Sequence, residues 1–422
     1  MNSEPILKTP SRRQLTLAGI ATCMIIIVSA VMQAGAYFTG LNIPDLLTAG
    51  PTIIALLFVL PSILKAHPMK GWGAFLGAFG LCLVVYFLAA AGDEMSGDGL
   101  RTLASIALAI SCSFVGFCTG LDRGNRQFSN WSIIIVCILS SLGLIALIIA
   151  KPATDDMPKN IIGGELMYLA VLAVAARLDL TGKKRSIMIL APLLAIEGLI
   201  TGHRVLLGLG AATFVADKLL PWQRSKLIHR IAILIAASIS VLIVLMYLYS
   251  NSLPSFESWN LFVQAKTGRQ ITSGRQLIWP LVVQQIMRHP YTGSGFAITS
   301  EQITGTNFST HNSFLMILLQ VGWVGFIAVL ILLATVILKG TSGKYTHWRT
   351  LFTILMVLVM IHCTFETVLI QNNFRISSLI WLSLGYICAR IPVKRSRARL
   401  AESTTTSLKL VHPHIINSEV VV

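Results

Sequence analysis

Acidic residues are scarce in this chain, with 17 Asp and Glu against 33 Lys and Arg in 422 residues. Charge of both signs amounts to only 12% of the sequence, about half the share found in soluble domains. That shortage excludes a soluble globular protein. The seven cysteines form no C-x-x-C pair and all lie in or beside apolar runs. They read as small core residues, not as a disulfide framework or thiolate metal site. There is no H-E-x-x-H, no pair of carboxylates at metal spacing and no phosphate-binding glycine loop followed by lysine. Sequence motifs therefore indicate no bound metal, no cofactor and no ATP hydrolysis.

What the chain has in abundance is apolar sequence, 55% hydrophobic residues with a mean hydropathy of +0.75. Runs of about 17–25 residues, enough to cross a bilayer, fall near 14–37, 45–64, 71–91, 102–119, 131–150, 160–176, 185–201, 204–220, 228–249, 312–338, 350–370 and 375–391. The expected fold is an all-α polytopic membrane protein with about twelve transmembrane helices. Residues 1–13 are a cytoplasmic N-terminus, 14–249 carry spans one to nine, and 250–311 form a large loop. Residues 312–391 carry the last three spans, and 392–422 form a polar, disordered cytoplasmic tail. Ala34-Gly35-Ala36 resembles a signal-peptide cleavage site, but the run before it exceeds the 7–15 apolar residues of a signal core.

The net charge of +16 points to topology and not to nucleic acid. With the N-terminus inside, Lys and Arg collect in alternate turns, at Arg123 and Arg126, Lys183 to Arg185, Arg224 to Arg230 and Arg390 to Arg399. Cytoplasmic loops are the ones that carry such excess. The long loop and His311 then face outward, which is the periplasm in a Gram-negative cell.

Four stretches carry candidate chemistry. In Thr201-Gly202-His203-Arg204, the arginine sits at the outer membrane boundary, either snorkelling to headgroups or facing the protein interior, with Glu197 as a possible partner. Arg275 to Arg288 reads as an amphipathic interfacial helix anchored by Trp279 and ended by His289-Pro290. Arg275 at its start suits a lipid headgroup or a phosphate. His311 and Asn312 open the tenth span; a helix starting at His311 would bring Gly322 and Gly325 onto the histidine's face, where small residues let another helix approach. His362 and Glu366, four residues apart, share a helical face and suit a proton relay or an interhelical contact. Glu165, near the outer end of the sixth span, suits a buried arginine or a neighbouring helix.

Three of these pieces together resemble the O-antigen ligase family, within a superfamily that also holds O-antigen polymerases and protein O-oligosaccharyltransferases. They are the outward arginine of TGHR, the SGR-x3-W opening of a loop helix that ends in HP-x2-GSGF, and His-Asn-x9-Gly-x2-Gly at His311, Asn312, Gly322 and Gly325. The motifs cover residues 195–330. The resemblance implies a GT-C-like glycosyltransferase of the bacterial inner membrane, metal-independent and inverting. Its donor would be a glycan on undecaprenyl pyrophosphate and its acceptor lipid A-core, met at the periplasmic face. Arg204 and Arg275 would hold the donor pyrophosphate beside His311, the base, with Asn312, Arg288 and His203 as further substrate-binding residues. Guanidinium groups match phosphate geometry, and imidazole can accept a proton at neutral pH. An O-antigen polymerase is the nearer alternative. A lipid-linked oligosaccharide transporter is more remote, because the candidate groups gather at the outer face and not at the midplane.

Overall fold

The computed structural model describes residues 12–39, 73–91, 97–121, 126–150, 157–202, 204–219, 225–252, 254–267, 274–305, 309–343, 346–370 and 374–391. The second expected span, the N-terminal segment before residue 12 and the tail from 392 lie outside them. Among the described residues there is no strand, so the chain is an all-α polytopic membrane protein. Its helices are α1 (Arg12–Thr39), α2 (Gly73–Ala91), α3 (Gly97–Leu121), α4 (Arg126–Ala150), α5 (Met157–Thr181), α6 (Arg185–Met188), α7 (Leu190–Thr201), α8 (Arg204–Leu219) and α9 (Lys226–Tyr249). They continue with α10 (Pro254–Thr267), α11 (Arg275–Arg288), α12 (Ser300–Thr304), α13 (Ser313–Thr341), α14 (Thr346–Phe365) and α15 (Phe374–Ala389). Seven stretches, within α2, α3, α4, α5, α9, α13 and α14, are long and apolar enough to cross a bilayer. Shorter apolar helices occur at Ala18–Met32, Val205–Ala216 and Phe374–Ala389.

The seventh expected span is not one helix. It breaks between α6 and α7 at Ile189, because Pro192 lacks an N–H and its ring would meet the Met188 carbonyl four residues back. α7 then pairs with α8 as a tight hairpin. Gly198 and Gly210 mark the contact, where a Cβ would stand 3.0 Å from the Leu207 nitrogen and 3.2 Å from the Ala195 nitrogen.

At the centre lies α15, whose residues are almost all buried. It packs on α3 at backbone distance. A Cβ on Gly116 would sit 2.1 Å from the Leu382 carbonyl oxygen, and one on Gly385 2.0 Å from that of Ser113. Gly116 and Gly120 are four apart, the small-x-x-x-small arrangement that brings membrane helices together. Polar contacts mark both ends of the bundle. At one end Arg230 of α9 donates to Thr341 of α13 at 3.0 Å, and Asp179 of α5 takes Arg126 of α4 and Arg390 after α15. The opposite end holds His311, Glu366 and, deeper between α1 and α5, the Ser29 hydroxyl donating to Glu165 at 2.7 Å.

Candidate active site

The site forms where α13 begins and α14 ends, with α11 packed on α13 and its first residue reaching the end of α14. α13 starts at Ser313 and not at His311. Asn312, with φ −150°, is its N-cap, and its side-chain oxygen accepts from the Phe314 and Leu315 nitrogens, satisfying two of the donors a helix start leaves open. The Asn312 amide nitrogen donates to the Thr364 carbonyl at 3.0 Å. Asn312 is fully buried and both polar atoms are engaged. It thus positions the helix instead of meeting a substrate, contrary to the role expected from the sequence.

Ser313, which the sequence did not single out, grips the turn after α14. Its hydroxyl donates to the Glu366 carbonyl at 2.8 Å and accepts from the Val368 nitrogen at 2.9 Å. Thr310 is held from the other side. Its carbonyl accepts from the Trp279 ring nitrogen, and its own nitrogen donates to Ser300, both at 2.8 Å. His311 stands between these clamps with φ +44°, the single positive φ outside glycine among the described residues. Such a backbone is uncommon and persists where its surroundings impose it.

The side chain of His311 meets Glu366, Nδ1 to Oε2, at 2.9 Å. Glu366 follows Phe365, the last residue of α14, and its backbone nitrogen still donates to the His362 carbonyl at 2.9 Å. The His362 side chain faces Tyr168 of α5, whose hydroxyl is 3.2 Å from its Nδ1, an interhelical contact such as the sequence allowed. Burial pushes the Glu366 carboxyl up. The His311 hydrogen bond and the charges of His311, His362 and Arg275 outweigh that push and hold the group below its usual 4.5. An ionised Glu366 favours the tautomer of His311 with its proton on Nδ1, leaving Nε2 as the acceptor. The histidine side chain is 27% exposed and Glu366 11%, so the imidazole remains reachable from outside.

Arg275, first residue of α11, reaches the same place. Its Nη2 donates to the Phe365 carbonyl at 3.1 Å, and its guanidinium lies 5.6 Å from the Phe365 ring centre. Arg275 also hydrogen-bonds Tyr247. Trp279, expected to anchor α11 in lipid, is instead fully buried, 4.9 Å from the Tyr247 ring. α11 turns Ile278, Trp279, Val282 and Ile286 toward α9 and α13. Its exposed apolar residues are Leu277, Leu281 and Met287. The interior won the tryptophan because its N–H finds the Thr310 carbonyl there.

A clasp couples α11 to α13. α13 breaks at Gly322, with φ +59° and ψ −162°, a region that is in effect glycine-only. The loop after α11 enters the gap. Pro290 and Tyr291 carbonyls accept from Trp323 and Val324 nitrogens at 2.8 and 3.2 Å, and the Ser294 nitrogen donates to Leu319 at 2.8 Å. A Cβ on Gly322 would sit 2.4 Å from the Tyr291 backbone, and one on Gly293 2.4 Å from that of Gln320. The glycine therefore admits a crossing loop instead of the neighbouring helix that spacing implied, and the break ends the shared face with His311.

The remaining candidates divide. Arg288, at the far end of α11, is about 20 Å along the helix from Arg275. It is exposed and donates to Gln285, outside the His311 cluster. Arg204 opens α8, but its side chain and all of His203 lie outside the described atoms. Glu197 of α7 is buried, with one carboxylate oxygen unpartnered among the described residues. Glu165 is fully buried, bonded to a neighbouring helix as one reading expected, with Arg375 the cation nearby.

Residues 189–330 match the O-antigen ligase family. Arg204, Arg275, His311 and the glycines of the clasp all fall inside that O-antigen ligase region; Glu366 and Tyr168 fall outside it. Compared with curated proteins, the chain has no match. The signal that would have found Glu366 is scarcity. In a chain with 17 acids, one beside an outward turn is a natural partner for an outward histidine.

Proposed function

We propose that the protein is a glycosyltransferase of the O-antigen ligase type, which joins a glycan from undecaprenyl pyrophosphate to lipid A-core at the periplasmic face of the inner membrane. The observation that carries this reading is the His311–Glu366 contact with Arg275 beside it, within a region matched by the O-antigen ligase family. In the reaction His311 Nε2 takes the proton of an acceptor hydroxyl as its oxygen attacks the anomeric carbon of the donor sugar. The carbon–oxygen bond to the pyrophosphate breaks, and its electron pair leaves with the phosphate oxygen. Attack opposite the leaving group inverts the anomeric centre. Glu366 stabilises the imidazolium that forms, while Arg275, joined by Arg204, stabilises charge growing on the pyrophosphate. A base provided by the chain and a leaving group neutralised by guanidinium supply both halves of the displacement, so the reading is metal-independent.

The test is transfer by the purified full chain from undecaprenyl-pyrophosphate-linked glycan, with lipid A-core or a second lipid-linked repeat as acceptor. Product on lipid A-core in the presence of chelator is expected. Growth of the chain on the second lipid-linked repeat instead identifies a polymerase, and activity lost in chelator but restored by a divalent cation rejects the metal-independent reading.

A further inference from the structure

The segment joining α9 to α11 carries an aromatic surface that the site does not use. α9 presents a continuous outward stripe, Leu234, Val241, Leu242 and Leu245, and leaves the bundle at Tyr249, which is 62% exposed. A single 3-10 turn, Ser250–Ser252, separates it from α10, a helix the sequence reading did not anticipate. With 14 residues, α10 is about 21 Å long and too short to cross a bilayer. Its main packing among the described residues is against that 3-10 turn.

The faces of α10 differ. Phe256, Asn260 and Val263, at i, i+4 and i+7, are half-buried. The adjoining face carries Trp259 and Phe262, both more than half exposed, with ring centroids 6.0 Å apart. Lys266 completes that face, and Glu257 and Gln264 occupy the far side together with the exposed Leu261. At the same end of the molecule α11 turns Leu277, Leu281 and Met287 outward, and Tyr291 beyond it is 73% exposed. Exposed apolar side chains thus occur on the spanning helix α9 and again on α10 and α11, with exposed aromatic rings at Tyr249, Trp259, Phe262 and Tyr291 where the span ends. Aromatic rings concentrate at the headgroup level of a bilayer, where their apolar bodies and polar edges both find partners. Lysine beside them reaches phosphate.

We propose that α10 lies flat in the membrane interface at the His311 end of the bundle, with Trp259 and Phe262 in phospholipid and Glu257 and Gln264 in water. The helix is then a foot that fixes the start of α11, and with it Arg275, at headgroup depth. This contact depends on the chain crossing a membrane and not on the reaction it performs.

The test places single nitroxide-labelled cysteines at 257, 259, 262 and 264 in a variant without the native cysteines, reconstituted in phosphatidylethanolamine–phosphatidylglycerol vesicles. Collision with oxygen and with a water-soluble nickel chelate gives each label's depth. Labels at 259 and 262 are expected about 5–10 Å below the lipid phosphates, with those at 257 and 264 in water. Equal nickel access at all four positions overturns the proposal. So does dipolar broadening between labels, which would make the face a contact between two copies. If removing the native thiols prevents folding, benzoylphenylalanine at 262 in the otherwise unaltered chain serves instead. Photo-cross-linking to an alkyne-tagged phosphatidylglycerol supports the lipid contact, and cross-linking to protein alone defeats it.

Discussion

Two buried carboxylates, Asp179 at one end of the bundle and Glu366 at the other, sit among cations in opposite ways. Asp179 is 2% exposed and takes Arg126 at 2.8 Å, Arg390 from beyond α15 and the Asn130 amide at 2.6 Å. Tyr386 in turn holds Asn130 at 2.6 Å. Arg126 is 47% exposed and Arg390 11%, but three donors converge on the one carboxylate, so the cluster ties α4, α5 and α15 together. Among the described residues Glu366 has one side-chain hydrogen-bond partner, His311, and that partner is 27% exposed on a backbone held in an uncommon conformation. A carboxylate tied by three donors fixes one arrangement, whereas an open pair, one carboxylate with one ring, leaves the ring's other nitrogen outside the pair. The first is architecture and the second is suited to chemistry.

Breaking each pair should therefore fail in a different way, and this is the largest effect expected. Asp179→Ala leaves Arg390 and the half-exposed Arg126 facing each other; removing one partner of a fully buried pair costs about 3–5 kcal/mol, and the exposure of Arg126 lowers that figure. Its yield and thermal midpoint in detergent should fall sharply. His311→Ala should keep both, yet lose transfer by at least on the order of 10²-fold, as expected for a lost base. If the two variants melt alike, the contrast between the ends is wrong.

Gly322→Ala tests whether the site depends on the clasp. A side chain there meets the Tyr291 backbone at 2.4 Å, and the conformation itself costs a non-glycine residue on the order of 1–3 kcal/mol. Gly143→Ala is the control, since a Cβ there meets nothing within 4 Å and alanine suits a helix better. We expect Gly322→Ala to lower both thermal midpoint and transfer, and Gly143→Ala to lower neither. Equal transfer by the two variants would show that α11 keeps Arg275 in place without the loop.

Arg275→Lys should weaken transfer strongly at normal protein level. Lysine keeps the charge but has no planar fork with which to meet two oxygens at once. Transfer rates measured against donor concentration check this. A lysine variant as active as the parent would leave Arg275 as a structural tie to Phe365.

Much of the fold was legible because the bilayer dictates it. Long apolar runs and alternating basic turns mark helices and their direction, and the pairing of Arg126, Asp179 and Arg390 puts together residues from one set of turns. His311 and Arg275 were legible as types in a motif, and the structure brings both to the end of α14. What the sequence hid depends on contacts distant along the chain. Trp279 reads as an interfacial anchor until Thr310, 31 residues on, offers its carbonyl. Gly322 reads as a helix contact until the loop from Pro290 fills the break. Glu366 reads as one of a pair with His362 until His311, 55 residues before it, offers its ring. Pro192 was a readable break that the apolar run around it concealed.

The smallest effect, and the finest test of the open pair, concerns acid. Glu366→Gln keeps an oxygen able to accept from His311 Nδ1 but removes the charge. In the folded protein the Glu366 carboxyl titrates below its usual 4.5, because His311, His362 and Arg275 outweigh its burial. A carboxyl depressed by folding contributes stability that is fully present above its unfolded value and is lost as pH falls through its folded value. The parent's thermal midpoint should therefore keep this contribution at neutral pH and down to about 4.5, then lose it in more acidic buffer. The glutamine variant, which has no carboxyl there, should melt lower at neutral pH and lack that acid step, so the two curves converge as the pH falls. Its transfer should decline by less than that of His311→Ala, since the base is still present and only its partner's charge is gone. Parallel melting curves from neutral pH into acid would mean that Glu366 carries no charge in the folded protein, and that it holds His311 by hydrogen bonding alone.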